Sequence, residues 1–436
     1  MAEINNEKAI NESLGNSNSS FSIKKFLFDN MVTTLFVILC IGGAIASKLP
    51  IFFITNELLI RITRNSFLVL ALIIPVLAGM GLNFSIVIGA MAAQIAIIIV
   101  THLGITGILG FLSCAILSVP FAIVFGILIG KLLNKTKGQE MIASMITGFF
   151  ANGLYQLLFL FLVGTLIPMK NKVLMLSSGI GVRNTIDLKA IMYSLDKIWK
   201  VPVSKVLILS GLVIIAYGCY KLYIGNKNDF KQISKVKQIV ISISGVVLLL
   251  IGFMFTYPSV LPKNLKILAN LKLPVVTAAA VVVLCIFNVV IVKTKLGQDF
   301  RTVGQDKHIA SVSGINVNRT RLIAITISTV LAAWGQLIFL QNLGTLNTYG
   351  SHVQIATFAI AAILIGGASV SKATIGQALL GVILFHTLFI VSPKAAKELF
   401  GDAQIGEFFR NFLAYGVIGV SLGLHAWKKT LQTMKK

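Results

Sequence analysis

The segment GQDFRTVGQDKHIASVSGINVNR (Gly297–Arg319) stands between two long apolar runs in the C-terminal half of the chain. Asp306 can accept hydrogen bonds from backbone N–H groups as the N-cap of a short helix that reaches Ser313. Gly314 can end that helix because glycine adopts the left-handed conformation without a steric cost. A new apolar helix begins directly afterwards at Leu322. The segment therefore predicts a small rigid helix held between two apolar helices. An ordinary solvated connector is the alternative.

The apolar runs on either side of this segment belong to a series that covers most of the chain. Hydrophobic residues make up 56% of the 436 residues and charged residues only 12%, and the mean hydropathy is +0.90. A soluble domain carries about 25% charged residues, so this chain has too little polar surface for water. A helix needs about 20 mostly apolar residues to cross a bilayer. Runs of that kind lie near 28–48, 65–82, 84–101, 105–133, 141–163, 204–224, 238–257, 274–292, 322–342, 354–371, 373–391 and 408–427.

These runs predict an all-α, polytopic integral membrane protein with about 10–12 transmembrane helices. Pro75, Gly79 and Gly81 interrupt the runs between 65 and 101, which could therefore form one broken helix instead of two. Residues 1–24 are polar and have no apolar period, and we expect a disordered cytosolic tail there. A basic cytosolic end is expected at 431–436.

The net charge of +24 would favour nucleic-acid binding in a soluble protein. Here the cations fall mostly in short stretches between apolar runs, where they meet lipid headgroups and water. We therefore expect membrane lipid, and no nucleic acid, among the partners. An N-terminus inside the cell places the majority of the Lys and Arg residues on the cytosolic side, which favours that orientation. The loop Gly164–Ser204, with a helix-like stretch from Leu188 to Trp199, then faces outside.

Motifs for covalent chemistry are missing from the sequence. The carboxylates lie at the edges of the apolar runs or in the loops, and the cysteines show no CxxC spacing. The string from Gly126 to Lys131 is one residue short of a phosphate-binding loop and lies within a predicted span. Gly126 and Gly130 instead predict a helix-packing face. We expect no enzymatic activity, no cofactor and no metal site. His386, in mid-span, is expected to bond to a neighbouring helix.

The segment Gly297–Arg319 resembles the cytosolic loop of the permeases of binding-protein-dependent ABC importers. The most similar branch includes ribose, other simple-sugar, nucleoside and branched-chain amino-acid permeases, and typically reads R-x-V-G-x-N-x-x-A-A-x-x-x-G-I. Asp306 replaces the Asn of that pattern, and Ile309 replaces its first Ala. The matching residues are Arg301, Val303, Gly304, Ala310, Gly314 and Ile315.

Two weaker resemblances lie upstream. GMGLNFS (Gly79–Ser85) stands where sugar permeases often read G-G-I-D-L-S, with Asn83 in place of the Asp. GQEMIAS (Gly138–Ser144) resembles the family's G-x-N-E-V-I-x-T. The three motifs together imply one permease domain over residues 25–430. Members of the family usually have fewer spans, so the runs at 204–224 and 238–257 would be an additional pair.

The resemblance implies the transmembrane permease subunit of an ABC importer in the bacterial plasma membrane. Its solute would be a small polar molecule, a sugar or a nucleoside. Its partners would be a cytosolic ABC ATPase, a second permease subunit and an extracytoplasmic solute-binding lipoprotein. The residues implied in coupling to the ATPase are Arg301, Gly304, Asp306, Ala310, Gly314, Ile315 and Arg319.

Uncharged polar side chains within the spans are candidates for the translocation pathway, because amide donors and acceptors suit a neutral solute in a low-dielectric channel. These residues are Asn83, Gln94, Asn152, Gln156, Gln336 and Gln341. The alternative for each amide is a hydrogen bond that links two helices. The alternative for the whole chain is a secondary carrier that works without an ATPase, which would require an ion site within the membrane.

Overall fold

A computed structural model describes residues 30–136, 138–169, 171, 173–227, 235–257, 259, 261–262 and 265–433. The predicted tail at 1–24 lies outside the described residues, as do residues 434–436 of the predicted basic end. Most of the described residues are helical, which confirms the all-α prediction.

Fifteen α-helices follow one another in this described part of the chain. They are α1 (Met31–Ser47), α2 (Ile51–Ala71), α3 (Ile73–Leu77), α4 (Ile86–His102), α5 (Gly107–Lys135), α6 (Glu140–Leu157), α7 (Val203–Lys227), α8 (Lys235–Thr256), α9 (Val275–Lys293), α10 (Lys295–Gln305), α11 (Lys307–Val312), α12 (Val317–Leu343), α13 (Ser351–Ile365), α14 (Ile375–Phe400) and α15 (Ala403–Thr433). Four short strands are β1 (Thr185–Asp187), β2 (Lys200–Pro202), β3 (Lys272–Pro274) and β4 (Thr345–Asn347).

The predicted apolar runs correspond to helices that can cross a membrane. Each of the predicted runs overlaps one of two sets of helices found among the described residues. Eight are long and apolar enough to span a bilayer: Ile51–Leu77, Gly107–Lys135, Glu140–Leu162, Val203–Lys221, Gln238–Thr256, Val275–Lys293, Val317–Leu343 and Ile375–Phe400. The shorter apolar helices are Met31–Ser47, Ile86–His102, Ser351–Ile365 and Tyr415–Leu424. The protein is therefore a polytopic membrane protein, as predicted.

The second span begins at Ile51, well before the predicted start at residue 65. Glu57, Arg61 and Arg64 lie in its first half, and their charges lower the local hydropathy, so the apolar pattern places the start too late. After Ala71 the chain continues as α3 and then turns at two glycines, Gly79 and Gly81, which have φ angles of 68° and 70°. The region therefore forms separate helices joined by a turn.

Helix α12 lies at the centre of the bundle and packs against α2, α4 and α5. On α5, a Cβ atom at Gly126 would lie 2.7 Å from the Cα atom of Thr326, and one at Gly130 would lie 3.1 Å from the Cα atom of Leu322. The absence of side chains at these two positions lets α5 and α12 approach closely. The predicted helix-packing face of Gly126 and Gly130 is confirmed.

Helices α13 and α14 are also in backbone contact. A Cβ atom at Gly366, which follows α13, would clash with the carbonyl oxygen of Gln377, and one at Gly381 would clash with the carbonyl oxygen of Ala362. Glycines in the left-handed conformation flank the pair: Gly344 precedes it with a φ of 76°, and Gly401 follows it with a φ of 80°. The two helices thus form one closely packed unit between two left-handed glycines.

Helices α7 and α8 form a hairpin that packs chiefly on itself. A Cβ atom at Gly211 would lie 2.8 Å from the carbonyl oxygen of Gly245, and one at Gly252 would lie 2.9 Å from the backbone nitrogen of Ile208. The strands that precede and follow the hairpin, β2 and β3, pair in antiparallel register. The chain therefore enters and leaves the hairpin at one place. This is the geometry of a self-contained insertion.

The loop between α6 and α7 covers the C-terminal end of α12, because β1 in this loop pairs with β4 directly after α12. The predicted helical stretch from Leu188 to Trp199 is wrong: those residues form a series of turns. Two of their N–H groups bond to the end of α12 instead: Tyr193 donates to the carbonyl of Gln341 (2.7 Å), and Leu188 donates to the carbonyl of Gly344 (2.9 Å). These tertiary contacts interrupt the regular hydrogen bonds that a helix would need.

Candidate functional site

Helices α10 and α11 occupy the segment between α9 and α12. The Asp306 carboxylate caps α11, because its Oδ1 atom accepts hydrogen bonds from the N–H groups of His308 (2.7 Å) and Ile309 (3.0 Å). The N–H donors of Ile309 and His308 hold the pKa of the Asp306 carboxyl below its usual range. Gly314 follows the helix with a φ of 81°. The predicted short helix, its N-cap and its left-handed end are confirmed.

The two faces of α11 differ in exposure. Ala310 is fully buried against its own chain, whereas the side chains of Ile309 and Val312 are 58% and 76% exposed. Residues three apart share one face of a helix, so these two apolar side chains form one surface that is free to meet a partner. Ala310 instead anchors the helix. Of the other predicted coupling residues, Arg301, Asp306, Gly314 and Arg319 are exposed, and Gly304 and Ile315 are half-buried.

Gly304, at the end of α10, lies against the turn that follows α3. A Cβ atom on Gly304 would clash with the carbonyl oxygen of Leu77, and one on Gly79 would lie 2.7 Å from the Cα atom of Gly304. The two backbones touch with no side chain between them. Two of the motifs found in the sequence, which are more than two hundred residues apart, are therefore in direct contact.

Glu140, in the third motif, connects α6 to both α11 and α12. Its Oε1 atom accepts hydrogen bonds from Nζ of Lys307 (2.7 Å) at the start of α11 and from Nη2 of Arg321 (2.6 Å) in α12. Arg321 is among the largest fully buried side chains. One turn along α6, the hydroxyl of Ser144 accepts a hydrogen bond from the N–H of Phe84 (3.1 Å) in the second motif. All three motifs thus meet in one place, which we call the motif junction (Gly79, Phe84, Glu140, Ser144, Gly304, Lys307 and Arg321).

Three of the predicted pathway residues, Gln94, Asn152 and Gln336, meet inside the bundle. With its amide oriented to satisfy both ends, Gln94 accepts a hydrogen bond from Nε2 of Gln336 (3.2 Å). Its nitrogen then lies 2.8 Å from the hydroxyl of Tyr155 and 3.0 Å from Nδ1 of His352. The other ring nitrogen of His352, Nε2, lies 2.7 Å from Oδ1 of Asn152. These five side chains, from α4, α6, α12 and α13, are called the polar cluster.

Asn152 also lines a cavity of about 500 Å³ between α4, α6, α13 and α15. The walls are mostly apolar and include Val87, Met145 and Phe149, while Thr357 adds a hydroxyl. The polar cluster therefore reaches this space through Asn152, and its other members bond to one another behind that residue.

Gln341 lies apart from the polar cluster, at the end of α12. Its Nε2 atom donates to Oδ1 of Asp196 (3.1 Å) in the loop between α6 and α7. Asn342 donates to Oδ2 of the same carboxylate (2.6 Å), and the hydroxyl of Thr277 donates to Oδ1. Asp196 is buried, and it is neutral amide and hydroxyl donors that hold it. Gln341 thus fastens the loop to the bundle.

Asn83 and Gln156 also lie outside the polar cluster. Asn83 is buried, and its Oδ1 atom accepts hydrogen bonds from the N–H and the hydroxyl of Ser85, which closes a local turn before α4. Gln156 is half-buried on α6. The pathway role of all six residues stays a prediction, and the geometry brings three of them together.

Sequence comparison supplies the observation that decides the family. The family described as "Branched-chain amino acid transport system / permease component" matches residues 188–417, which is more than half of the chain. The chain belongs to this permease family. The match begins directly after β1, ends within α15 and contains the whole segment between α9 and α12. The resemblance to ABC importer permeases is therefore confirmed, and the protein is a multi-pass permease of the plasma membrane.

Individual relatives carry related names. The permease is 30% identical over 166 residues to the autoinducer 2 import system permease protein LsrC of Enterobacter sp. (strain 638), covering 36% of this chain and 46% of the relative. It is 33% identical over 128 residues to LsrC of Klebsiella pneumoniae, covering 29% and 36%. It is 31% identical over 116 residues to the probable ABC transporter permease protein YphD of Escherichia coli K12, covering 26% and 35%.

Each alignment spans less than half of the relative's own length. No solved structure matches the permease.

Several residues that shape the site are not singled out by sequence reasoning. Lys307 and Arg321 complete the motif junction, Asp196 holds the loop between α6 and α7, and Ile309 and Val312 form the exposed face of α11. Two signals could have found some of them. Oppositely charged residues stand at the starts of two apolar runs, at 140 and 321, and two apolar residues stand three apart in an otherwise polar helix.

Proposed function

We propose that this permease forms the translocation pathway of an ABC importer for a small neutral polar solute, a sugar or a nucleoside, and that α11 couples it to a separate cytosolic ATPase. A second permease subunit would complete the pathway, and an extracytoplasmic binding lipoprotein would deliver the solute. The permease domain would cover residues 25–430. The observation that carries the proposal is the physical connection between α11 and the polar cluster.

Each contact in the motif junction lies at the start of a helix that supplies a residue of the polar cluster. Arg321 leads along α12 to Gln336, and Glu140 leads along α6 to Asn152. At 1.5 Å per residue these separations are about 22 Å and about 18 Å. The turn that contacts Gly304 leads into α4, which carries Gln94. A force on α11 therefore reaches three helices of the polar cluster through direct contacts, as a subunit driven by an external ATPase requires.

The chemistry of the polar cluster supports a neutral solute. Amide, phenol and imidazole groups offer both donors and acceptors, and the cluster contains no carboxylate, no lysine and no arginine. A sugar or nucleoside presents hydroxyl groups that can replace the hydrogen bonds these side chains make with one another. The relatives named for the import of autoinducer 2 add support for a small sugar-like solute.

Reconstitution in liposomes tests the dependence on an ATPase. The purified permease alone should neither hydrolyse ATP nor accumulate radiolabelled ribose or uridine. Together with its ATPase and loaded binding protein, it should accumulate one of them when ATP is supplied. Concentrative uptake by the permease alone, driven only by a proton or sodium gradient, would contradict the proposal and establish the secondary carrier instead.

The exposed face of α11 gives a sharper test. The substitutions Ile309→Asp and Val312→Asp put a charge where an apolar groove of the ATPase would bind, so each should reduce the amount of ATPase that co-purifies. Both side chains are exposed, so the permease itself should fold. The control is Ile180→Asp, the same change at an exposed residue of the loop between α6 and α7. Undiminished co-purification of the ATPase with both α11 variants would mean that this helix is only a connector.

A further inference from the structure

Three arginines surround a small cavity in the half of the bundle away from the motif junction. Arg61 and Arg64 lie on α2, and Arg410 lies on α15. Arg64 is about 20 Å along the helical axis from Leu77, at 1.5 Å per residue. An arginine within a membrane span is unfavourable and generally marks a functional site. Two on one span, joined by a third, require an explanation.

Aromatic rings hold the guanidinium groups in place. The Cζ atoms of Arg61 and Arg410 lie 5.2 Å and 4.8 Å from the centroid of the Phe389 ring. The Cζ atom of Arg64 lies 5.2 Å from the centroid of the Phe339 ring. Cation–π contacts of this kind stabilise a guanidinium and leave its edge free for hydrogen bonds. Between these groups lies a cavity of about 210 Å³.

The polar atoms around the cavity are incompletely paired. Within the described residues, Nε of Arg61 has only Glu57, at 3.6 Å, and the buried Nε atoms of Arg64 and Arg410 have no hydrogen-bond partner. The same is true of Nδ1 of His386, whose side chain lines the cavity and is 1% exposed. Buried polar groups are normally hydrogen-bonded, so this set of unused donors indicates a missing acceptor. The expected bond between His386 and a neighbouring helix is not formed by this nitrogen.

The three arginines differ in how closely a carboxylate approaches them. Glu57 pairs with Arg61 (3.6 Å), and Glu407 pairs with Arg410. Arg64 donates to Oδ1 of Asn342 (3.2 Å), and Asn342 in turn donates to Oδ2 of Asp196 (2.6 Å). The Asp196 carboxylate therefore lies near Arg64 but is connected to it only through an amide, and Arg64 has no directly bonded carboxylate in the described part of the chain.

We propose that this cavity binds an oxyanion, a carboxylate or phosphate group, that bonds to Arg64 and to the free edges of Arg61 and Arg410. Guanidinium groups match the geometry of carboxylate and phosphate oxygens, and the group would supply the acceptor that the unpaired N–H groups lack. The volume lies below the roughly 300–1,000 Å³ of sites that enclose a whole drug-sized ligand. It therefore suits one anionic group, either the headgroup of an anionic lipid or a small soluble anion.

The anion site is separate from the proposed pathway. None of the residues that line it belongs to the polar cluster, and its test measures binding alone, so the result does not depend on the proposed function.

The experiment uses the purified full-length permease and two probes. The first is inorganic phosphate, titrated by calorimetry. The second is retention of phosphatidylglycerol, compared with phosphatidylcholine, measured by native mass spectrometry. We expect saturable binding of at least one probe. Arg64→Gln should weaken it on the order of tenfold, because hydrogen bonds to charged groups are the strong ones. Arg64→Lys keeps the charge but loses the planar guanidinium group, so its affinity should lie between those of the wild type and Arg64→Gln.

The control is Lys189→Gln, which removes one positive charge from an 84% exposed side chain in the loop on the same side of the bundle. It should leave binding unchanged. Arg410→Gln, at a partly exposed side chain, provides a second variant whose folding does not depend on Arg64. If the arginine variants lose only the retention of phosphatidylglycerol, the bound group is a lipid headgroup. If they lose only the binding of phosphate, it is a soluble anion. The proposal is overturned if neither probe distinguishes the wild type from Arg64→Gln and Arg410→Gln, or if Lys189→Gln weakens binding equally.

Discussion

The central helix α12 and the hairpin helix α8 are both long apolar helices, yet they contribute to the permease in opposite ways. In the most apolar part of α12, 67% of the residues are buried inside the protein, whereas the value for α8 is 11%. Of these two stretches, the one in α8 has the higher mean hydropathy. Apolarity thus marks the surface that faces lipid, while α12 buries Ser328, Gln336 and Gln341 against its neighbours. In a bilayer, polar side chains turn inward and join helices.

The close contacts of glycine residues also differ between the motif junction and the hairpin. In the motif junction, Gly304 meets the backbone of an element far away in the sequence, so the contact fixes how distant parts of the bundle are arranged. In the hairpin, Gly211 and Gly252 meet only the partner helix, so the contact closes a local unit. The same residue type therefore supports tertiary structure in one region and a hairpin in the other.

The largest expected effect is at Gly304. The substitution Gly304→Ala places a Cβ atom against the carbonyl oxygen of Leu77, which belongs to the backbone and cannot rotate away. We expect solute-stimulated ATP hydrolysis by the assembled complex to be lost. The matched change Gly218→Ala in the hairpin meets the hydroxyl of Ser242, a side chain that can change rotamer, and should leave stimulation intact. Equal losses in both variants would remove the distinction between the two regions.

The next effect is at Glu140. Glu140→Gln leaves Arg321 buried without its counter-charge, and breaking a buried ion pair costs about 3–5 kcal/mol. We expect a lower thermal unfolding temperature in detergent and weaker ATPase stimulation. The double variant Glu140→Leu with Arg321→Met removes both charges and should unfold at a temperature nearer to the wild type. A single variant as stable as the wild type would show that water already screens this pair.

Removing the hairpin should have a smaller effect. Residues 203–271 can be replaced by a short glycine-rich turn, because the paired strands β2 and β3 bring residues 202 and 272 together. We expect the shortened permease to be inserted, to bind its ATPase and to retain most of the stimulated hydrolysis. Loss of ATPase binding in this variant would mean that the hairpin belongs to the working core.

The smallest expected effect concerns the Asp306 cap. Its folded-state pKa lies below the ordinary value, which is about 3.9. The cap therefore stabilises α11 above that value, and the contribution is lost as the pH falls through the folded pKa. Hydrogen exchange of α11 amides, corrected for intrinsic rates, should show weaker protection below about pH 4. Asp306→Asn, which accepts hydrogen bonds without titrating, should remove this dependence, and an identical pH profile for both proteins would contradict the assignment.

Local features of the fold could be predicted from the sequence. Apolar runs define the spans, and Asp306 and Gly314 define both ends of α11, because capping depends on neighbouring residues alone. The predicted start of α2 is wrong because Arg61 and Arg64 lower the hydropathy of a helix that is long and apolar enough to span the membrane. The contacts of Tyr193 with α12 replace a predicted helix with turns.

The candidate site was harder to predict because it depends on contacts between distant segments. Gln94, Asn152 and Gln336 meet, but each looks no different in sequence from Gln341, which holds a loop, or Asn83, which closes a turn. Neither the hydropathy pattern nor the helix-capping residues of the sequence indicate the contact between Gly304 and Gly79.

The backbone contact between α13 and α14 has a mechanical consequence. Two helices that meet through Gly366 and Gly381 cannot slide along each other without driving carbonyl oxygens into the opposing chain. We therefore expect residues 351–400 to move as one rigid body. A rotation of that body could be accommodated at Gly344 and Gly401, the left-handed glycines on either side of it. His352 of the polar cluster and His386 of the anion site both belong to this body, so one tilt would reposition both.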